Sequence, residues 1–135
     1  MMKFDRFVKP QIEFAQVDRL LPIEEYDMKR VWLLAKKIEE EGVWTVPLFI
    51  EKTHRLVLDG THRLQAAKFL GLSRLPVQYF DYHEVKPFSL RKEEKVTIPF
   101  VIEKAKRKRL YPYKTVKHKF PCIETKCKYR LEELK

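Results

Sequence analysis

The sequence predicts an α+β fold, in which a β-α-β-β-α-β core over about residues 12–82 is followed by a basic C-terminal helix and tail. Two segments carry apolar residues at helical spacing and each ends at a glycine, and short apolar runs of strand length lie around them. The chain has 135 residues, of which 44% are hydrophobic, so it can bury a core without disulfides. We therefore expect one domain over residues 1–135.

The first strand and the first helix are predicted near the start of the core. Residues 14–21 suit a short strand that ends before Pro22. Asp27 is suited to cap the helix, and Gly42 is suited to end it in the left-handed conformation that glycine tolerates. One buried face of this helix is marked at i, i+3, i+4 and i+7 by Val31, Leu34, Ala35 and Ile38.

Three strands and a helix are predicted in the second half of the core. Residues 46–50 form an apolar run that contains Pro47, so this run is either an edge strand or a strand that begins at the proline. Residues 56–58 are typical of a buried strand, a helix follows the next turn and ends at Gly71, and residues 75–80 form the last strand. The inward face of that helix is marked by Leu64, Ala67 and Leu70.

Beyond the core the pattern is weaker. Residues 83–95 are polar and are predicted to be a loop. Thr97 is suited to cap a third helix, with Pro99 in its first turn, that runs to about Arg109. Residues 111–135 contain two prolines and show no clear period, so no regular element is predicted there.

The positive charge is concentrated in the C-terminal part of the chain. Acidic and basic residues balance over residues 1–85, so the whole net charge of +10 lies in residues 86–135. Its densest part comprises Lys104, Lys106, Arg107, Lys108 and Arg109, followed by Lys114, Lys117 and Lys119. Such a block attracts phosphate in a nucleotide, a nucleic acid or an anionic membrane surface. A solvated basic helix without a specific partner is the alternative.

Composition excludes several classes of protein. No apolar run approaches the roughly 20 residues that a membrane-spanning helix needs, and the N-terminus has no apolar stretch of the signal-peptide type. We therefore expect a soluble, cytoplasmic protein without a membrane partner. The chain has no Asn and many Lys and Glu, a bias that fits a hyperthermophile.

The two cysteines, Cys122 and Cys127, are too few for a disulfide scaffold. Together with His118 they suggest zinc, but a fourth ligand is not evident and the spacing is not a standard one, so zinc is not expected.

The most informative motif is a strand, a sharp turn and a helix around residues 56–63. An apolar strand leads into Asp59 and Gly60, and a helix begins at once. The first N–H groups of a helix are free and carry partial positive charge, and a glycine lets an anion approach closely. The motif is neither a Walker A loop nor a dinucleotide fingerprint, so it predicts a phosphate site of another kind. The alternative is an ordinary turn with Asp59 and Thr61 as capping residues.

At this point the chain resembles the ParB/sulfiredoxin superfamily. The resemblance rests on D-G-T-H-R at residues 59–63, on L-Q-A-A-K-F-L-G-L at 64–72, on L-P-V at 75–77 and on V-D-R-L-L-P at 17–22. It covers about residues 14–82 and implies the ParB/sulfiredoxin-like fold, in which this turn binds nucleotide phosphates.

Within the superfamily the chain most resembles the free L-serine kinases. Sulfiredoxins place a catalytic cysteine where this chain has Thr61, and ParB proteins carry a different turn and a DNA-binding domain too long for the remaining 50 or so residues. The free serine kinases have a D-G-H-H-R turn and a P-K-T-T-R-H-like segment near the end. Residues 112–118, P-Y-K-T-V-K-H, and the acidic-apolar L-E-E-L at 131–134 are similar to that ending.

The resemblance implies transfer of a phosphoryl group from ATP or ADP to the hydroxyl of L-serine, giving O-phosphoserine for cysteine or related metabolism. The catalytic glutamate of this family falls on Glu24, with Glu25 as the adjacent alternative. Asp59 is placed beside the reacting phosphate, and His62 joins the catalytic group, although the sequence leaves its protonation open. Without the resemblance, Glu24 would be read as a surface acid before a helix.

The binding residues implied by the resemblance lie in three segments. The nucleotide phosphates are cradled by Gly60, Thr61, His62 and Arg63, and Lys114 and Thr115 close over the nucleotide. The substrate is assigned to Trp44, Thr45, Lys117 and His118, which makes the C-terminal extension from about residue 83 a part of the site. A position in the core is the alternative for Trp44. Mg²⁺ is expected on the phosphates, with Asp59 as a candidate ligand, rather than in a cage of protein ligands.

In the C-terminal segment the chain departs from the family pattern at two positions. Val116 replaces a threonine, and Lys117 replaces an arginine whose planar fork matches a phosphate or a carboxylate. These changes leave open whether serine or another hydroxyl compound is the acceptor. The alternative function is a ParB-like nucleic-acid-binding or nucleotide-binding regulatory module, which rests on the basic C-terminal region.

Overall fold

The computed structural model describes residues 10–122 and 125–135. Its helices are α1 (Met28–Glu41), α2 (Thr61–Phe69) and α3 (Ile98–Lys106). Its strands are β1 (Glu13–Gln16), β2 (Val43–Trp44), β3 (Leu48–Glu51), β4 (Val57–Asp59), β5 (Arg74–Phe80), β6 (Lys86–Ser89), β7 (Val116–Lys119) and β8 (Tyr129–Arg130). Short 3₁₀ turns follow β1, β5 and β8 at Val17–Arg19, Tyr82–Glu84 and Leu131–Leu134.

A four-stranded sheet in the order β1-β5-β3-β4 forms the centre of the molecule. β5 runs parallel to β3, with Leu48 opposite Val77, while β1 and β4 are antiparallel to their neighbours. β3 therefore lies inside the sheet, and the edge-strand interpretation of residues 46–50 is wrong. The alternative is right: the strand begins at Leu48, directly after Pro47, so the missing N–H of proline costs no ladder hydrogen bond.

Each face of the sheet is covered by a separate hydrophobic cluster. Successive side chains of a strand point to opposite faces, and in β3 Leu48 and Ile50 join one cluster while Phe49 joins the other. The first cluster includes Ala35 of α1 and Leu64 of α2, so these two helices cover one face. The second cluster contains α3 and the segment near residue 111, which cover the other face.

The predicted helix signals are confirmed. Asp27 Oδ1 accepts the N–H of Lys29 at the start of α1, and Gly42 ends this helix with a φ of 73°. Thr97 Oγ1 accepts the N–H of Phe100 at the start of α3, which ends at Lys106, three residues before the expected end. These signals are local, because each cap bonds a group within a few residues of itself.

Three predictions for irregular or extended segments are wrong. The first strand is shorter than expected, because the chain turns into a 3₁₀ helix at Val17. Residues 83–95 contain β6, and the tail contains β7, which pairs antiparallel with β6 so that Ser89 lies opposite Val116. Exposed lysines alternate with half-buried side chains in β7, so neither strand carries the apolar run that predicts one.

The tail also returns to the first hydrophobic cluster. β8 pairs with β2, and Leu134 is fully buried. None of the helices in the described ranges is both long and apolar enough to cross a membrane.

Candidate functional site

A cavity of about 830 Å³ lies where β4 ends, α2 begins and the C-terminal segment crosses back over the core. One wall is the exposed side of α1, another is the turn at residues 59–63, and a third is formed by residues of the segment 113–122. The cavity thus brings together Glu24, Asp59, Gly60, Thr61, His62, Arg63, Lys114, Lys117 and His118 among the residues that the sequence predicted.

Gly60 is required at the turn into α2. Its φ is 116°, and a Cβ at this position would lie 2.7 Å from the Leu48 Cγ. Any side chain would therefore be strained by the backbone and would also push into β3. Glycine leaves the first turn of α2 without a capping side chain, so its free N–H groups remain available for an anion.

Asp59 and Arg63 face each other across the first turn of α2. Arg63 Nη2 lies 3.5 Å from Asp59 Oδ2, and the Asp59 side chain is 48% exposed. Arg63 Nη1 is buried and has no hydrogen-bond partner within the described residues. A buried guanidinium donor without a partner is costly, and an anion in the cavity would satisfy it.

His62 is held as a neutral ring. Its Nε2 lies 3.1 Å from the backbone N–H of Asp27, which donates to it, so the ring proton is assigned to Nδ1. Burial lowers the pKa of His62, the positive charge of Arg30 lowers it further, and Asp27 partly opposes them. The protonation state that the sequence left open is therefore neutral near pH 7.

The Tyr113 side chain covers this part of the cavity. Its ring packs edge-on against His62 with centroids 5.6 Å apart, and Arg30 Nη1 donates to its hydroxyl at 3.4 Å. Lys114 Nζ lies 5.4 Å from the centre of the same ring. Tyr113 thus connects α1, α2 and the C-terminal segment.

Glu24 is bonded to the C-terminal segment through both carboxylate oxygens. Its Oε1 accepts the N–H of Lys114 at 3.0 Å, and its Oε2 accepts the N–H groups of Thr115 at 3.2 Å and Val116 at 2.7 Å. The neighbouring backbone is bonded as well, since the N–H of Tyr111 donates to the carbonyl oxygen of Ile23. Glu24 therefore lines the cavity and also bonds the C-terminal segment, which forms another of its walls.

The polar side-chain atoms of Thr115 and His118 are bonded to other groups of the protein. Thr115 is fully buried, and its Oγ1 donates to the carbonyl oxygen of Pro112 at 2.7 Å. His118 donates from Nδ1 to the carbonyl oxygen of Leu58 and accepts the hydroxyl of Tyr82 at Nε2, with distances of 3.1 and 2.8 Å. Burial lowers the pKa of His118 to about 4, partly offset by the bond to Leu58, so this ring is neutral too.

The structure adds cavity residues that the sequence reasoning did not identify. Arg30, Leu33, Leu34 and Lys37 line the cavity from α1. They follow i, i+3, i+4 and i+7 spacing, next to the buried stripe of the same helix, so a second stripe was readable in the sequence. Tyr113 had no such signal.

The charge of the cavity is predominantly positive. Its cations are Arg30, Lys37, Arg63, Lys114 and Lys117, and its carboxylates are Glu24 and Asp59. Of the described residues that line it, none belongs to the basic run at 104–109. Within that run Lys106, Arg107, Lys108 and Arg109 are exposed, and the whole run lies outside the cavity.

Trp44 and Thr45 lie beside the large cavity, at a second one of about 160 Å³. Trp44 is 2% exposed and donates its Nε1–H to the carbonyl oxygen of Val46 at 2.6 Å. Both cavities are lined by Lys37 and Arg63, together with Leu34. The two spaces therefore meet at a pair of cations.

The described residues contain no group of three or more His, Cys, Asp or Glu side chains placed to hold a metal ion. Cys122 packs against the second hydrophobic cluster with Phe120, whereas Cys127 lies against the first, with its Sγ 3.8 Å from the carbonyl oxygen of Trp44. The two cysteines of the zinc motif are thus on different sides of the sheet.

Comparison with known proteins supports the fold prediction. No family model matches the chain. A curated ATP-dependent L-serine kinase from Staphylothermus marinus is 39% identical over 72 residues, which are 50% of this chain and 29% of that protein. The match therefore spans less than a third of the length of the curated relative.

Solved structures match over nearly the whole chain. A free serine kinase in complex with AMP, and a variant of it with a glutamate replaced by alanine in complex with ADP, each give a TM-score of 0.84 at 16% identity, covering 96% of this chain and 98% of theirs. SbnI with a C-terminal truncation, from Staphylococcus aureus, gives a TM-score of 0.79 at 11% identity, covering 92% and 89%. The chain has the α+β fold of these proteins, and the predicted fold class is confirmed.

Proposed function

We propose that this chain is a nucleotide-dependent kinase for free L-serine. The single observation that carries the proposal is the cavity, in which five cationic side chains, a helix N-terminus and two carboxylates face one space. Polyphosphate is the ligand that such a charge pattern favours, and a carboxylate beside it can accept a proton from a hydroxyl. The partial likeness to an L-serine kinase and the fold shared with free serine kinases support the choice of acceptor.

The nucleotide phosphates are assigned to the turn and helix start at residues 60–63. Gly60 allows close approach of the phosphates, Arg63 offers its unpartnered Nη1, and neutral His62 presents the Nδ1–H. Lys114 closes the opposite side. Thr115 contributes by shaping the turn, because its hydroxyl is already bonded to the backbone.

Glu24 is proposed as the general base for the serine hydroxyl. An ionised carboxylate has about four lone-pair directions, and three are used by backbone N–H groups, so one on Oε1 remains. The proton moves from the serine hydroxyl to this oxygen as the hydroxyl oxygen bonds to the transferred phosphorus. The bond to the leaving phosphate of the nucleotide breaks in the same step, and phosphoserine and the shortened nucleotide leave.

Magnesium is proposed on the nucleotide phosphates. The residues present fit this arrangement, because the Asp59 carboxylate is half-exposed at the cavity and, within the described residues, is paired with Arg63 alone at 3.5 Å, so it can serve as one carboxylate ligand. When bound, Mg²⁺ neutralises the charge that builds up on the phosphates. No larger set of protein ligands is needed.

The acceptor is assigned to the side of the cavity near Lys37 and Arg63. Trp44 and Thr45 wall the adjoining small cavity, and Lys117 faces the large one. His118 supports this wall through its bonds to Tyr82 and Leu58, rather than offering a free ring nitrogen.

The test is a phosphoryl-transfer assay at elevated temperature. Protein, Mg²⁺ and L-serine are mixed with ATP or with ADP, and O-phosphoserine is detected by mass; omission of serine is the control. We expect product with at least one donor, and the comparison identifies which donor is used. Nucleotide binding without product from either donor would reject serine as acceptor, and lack of nucleotide binding would reject the kinase.

A nucleic-acid-binding role is the second candidate, and one observation favours it: the basic run at 104–109 lies outside the cavity. Replacement of Lys106, Arg107, Lys108 and Arg109 by glutamine would then remove a steeply salt-dependent affinity for DNA or RNA while serine phosphorylation is unchanged. Nucleic-acid binding that these substitutions leave intact would reject the run as the interface.

A further inference from the structure

We propose that Glu24 is a positioning residue for the C-terminal wall of the cavity, in addition to any role as a base. Its carboxylate occupies an anion-binding concavity formed by the backbone N–H groups of residues 114–116, and so holds Lys114 and Lys117 toward the nucleotide. The identity of that ligand rests on the proposed function, whereas the contact itself rests on the geometry of the protein.

The backbone at residues 114–116 has the form of an anion-binding nest. Lys114 has a φ of 56°, in the left-handed region, and the three successive N–H groups that begin there converge on one carboxylate. Successive N–H groups around a left-handed residue make a concave site for negative charge. Here the anion that fills the site is Glu24, some 90 residues earlier in the chain.

The contact lies between two backbone attachments of the C-terminal segment. Before it, Tyr111 is bonded to the backbone of Ile23 and Glu25. After it, β7 begins at Val116 and pairs with β6. Between these two attachments the carbonyl oxygens of Tyr113 and Thr115 accept from Arg91 Nη2 at 2.6 Å and from the Leu90 N–H at 2.8 Å. The three N–H groups of residues 114–116, in contrast, are all satisfied by Glu24.

The turn carries the cations of this wall. Lys114 lies within it, Lys117 follows on β7, and both line the cavity. If the Glu24 carboxylate is removed, three N–H groups lose a charged acceptor and the strained conformation of Lys114 loses its compensation. The lysines would then sample positions away from the nucleotide, and nucleotide affinity would fall before any acceptor is present.

A base and a positioning residue give different results with the variants Glu24→Gln and Glu24→Ala. If Glu24 is the base, both variants lose it, so turnover is abolished in both. For positioning, Gln keeps one oxygen that can accept from Thr115 and Val116, whereas Ala keeps none. Nucleotide affinity in the absence of serine should therefore fall in Glu24→Ala by about tenfold or more, and by less in Glu24→Gln.

The experiment measures two quantities on the full chain: amide hydrogen exchange at residues 114–116 without ligand, and the Kd of ADP and of ATP without serine. Exposed Glu40→Gln on α1 is the matched control for loss of one negative charge. We expect exchange at residues 114–116 to rise about tenfold or more in Glu24→Ala, with the α3 amide of Val101 unchanged. The nucleotide Kd should rise in parallel, and Glu40→Gln should match the wild type.

Three outcomes would overturn the inference. Unchanged exchange at residues 114–116 would show that Glu24 does not hold the turn. Faster exchange with an unchanged nucleotide Kd would show that holding the turn does not position the lysines. Equal nucleotide Kd values for the two variants and the wild type, with turnover lost in both, would leave Glu24 as a base alone.

A wild-type protein that binds neither nucleotide would instead overturn the proposed function and the ligand assigned to this wall. The exchange rates would still show whether Glu24 holds the turn, so the two failures are distinguishable. If Glu24→Ala does not fold, the same comparison between Glu24→Gln and Glu40→Gln decides the inference.

Discussion

The Leu58 carbonyl oxygen and the His118 Nδ1 are joined by a hydrogen bond of 3.1 Å, which ties β7 to the strand that delivers Asp59 to the cavity. The other ring nitrogen accepts the hydroxyl of Tyr82 at 2.8 Å. His118 is therefore a bridge between the C-terminal hairpin and the central sheet. Burial favours the neutral ring and lowers its pKa, which makes the bridge sensitive to acid.

Replacement of His118 by glutamine should reduce the loss of stability in acid. The pKa of His118 is about 4 in the folded protein, below the ordinary value of 6.5, because the ring is buried. The unfolded chain then binds more protons between these values, so stability is lost as the pH falls from about 6.5 to 4. The contribution is of the order of 2–3 kcal/mol.

Urea unfolding at pH 7 and pH 4.5, for the wild type and His118→Gln, measures this effect. The wild type should lose more stability between the two pH values than the variant does. Some pH dependence will remain in the variant, because the pKa of His62 is also lowered. Equal losses in both proteins would contradict the assignment of a neutral bridging ring.

Replacement of His62 by phenylalanine should weaken nucleotide binding and remove a hydrogen bond at the start of α1. The variant removes the Nε2 acceptor of the Asp27 N–H and the Nδ1–H proposed to face phosphate. We expect the nucleotide Kd to rise about tenfold, the loss expected for one hydrogen bond to a charged group. Because the pKa of His62 lies below 6.5, the wild-type Kd should be flat from pH 7 to 8.

Titration calorimetry with ADP and ATP over this pH range checks the prediction for His62. A Kd that changes with pH between 7 and 8, and does so only when His62 is present, would show a ring that titrates in this range and contradict the geometry.

Replacement of Gly60 by alanine should destabilise the protein more than replacement of Gly42. Both glycines have positive φ, 116° and 73°, so alanine is strained at each by about 1–2 kcal/mol. At Gly42 the added Cβ meets nothing within 4 Å, whereas at Gly60 it meets Leu48 at 2.7 Å. The variant at Gly60 should also lose nucleotide binding.

Denaturant midpoints of Gly60→Ala and Gly42→Ala, combined with nucleotide titration, test the turn. We expect the wild type to be the most stable, Gly42→Ala to be less stable and Gly60→Ala to be the least stable. A Gly60→Ala protein as stable as Gly42→Ala that binds nucleotide normally would show that the turn relaxes and that close backbone approach is not needed.

Replacement of Lys37 by alanine should impair substrate binding, and the same change at its neighbour Lys36 should not. Both lysines are exposed on α1, but Lys37 lines both cavities whereas Lys36 lies over the Trp32 ring, with Nζ 5.0 Å from its centre. The pair therefore removes the same charge from the same helix at two distances from the site. We expect the KM of nucleotide or serine to rise several-fold only for Lys37→Ala.

Steady-state kinetics with each substrate varied in turn measures the effect of Lys37. A raised KM for nucleotide would mean that Lys37 contacts the nucleotide, and a raised KM for serine would mean that it contacts the acceptor. Equal kinetics in the two variants would remove Lys37 from the site.

The helices and the turn at residues 59–63 were predictable because their signals are local. Asp27, Gly42 and Thr97 each bond or shape backbone within a few residues, so the sequence records their function directly. Gly60 before a helix start is a pattern of the same kind. The cavity stripe of Arg30 and Lys37 was also recorded at helical spacing, although it was not identified.

The pairing of β6 with β7 was not predictable in the same way. β7 alternates exposed lysines with half-buried side chains, and neither strand has an apolar run. Its stability depends on ladder hydrogen bonds with a partner some 30 residues away along the chain, and no local preference records such a partner.

The sequence by itself therefore determined the fold class, the helices and the turn at residues 59–63, because each follows from periodicity or from a cap that acts on its own neighbours. The tertiary structure alone decided that Glu24 bonds the N–H groups of residues 114–116, that His118 uses both ring nitrogens within the protein, and that Lys37 and Arg63 stand between two cavities. These contacts join segments far apart in the chain, and their geometry exists only once the sheet and both hydrophobic clusters have formed.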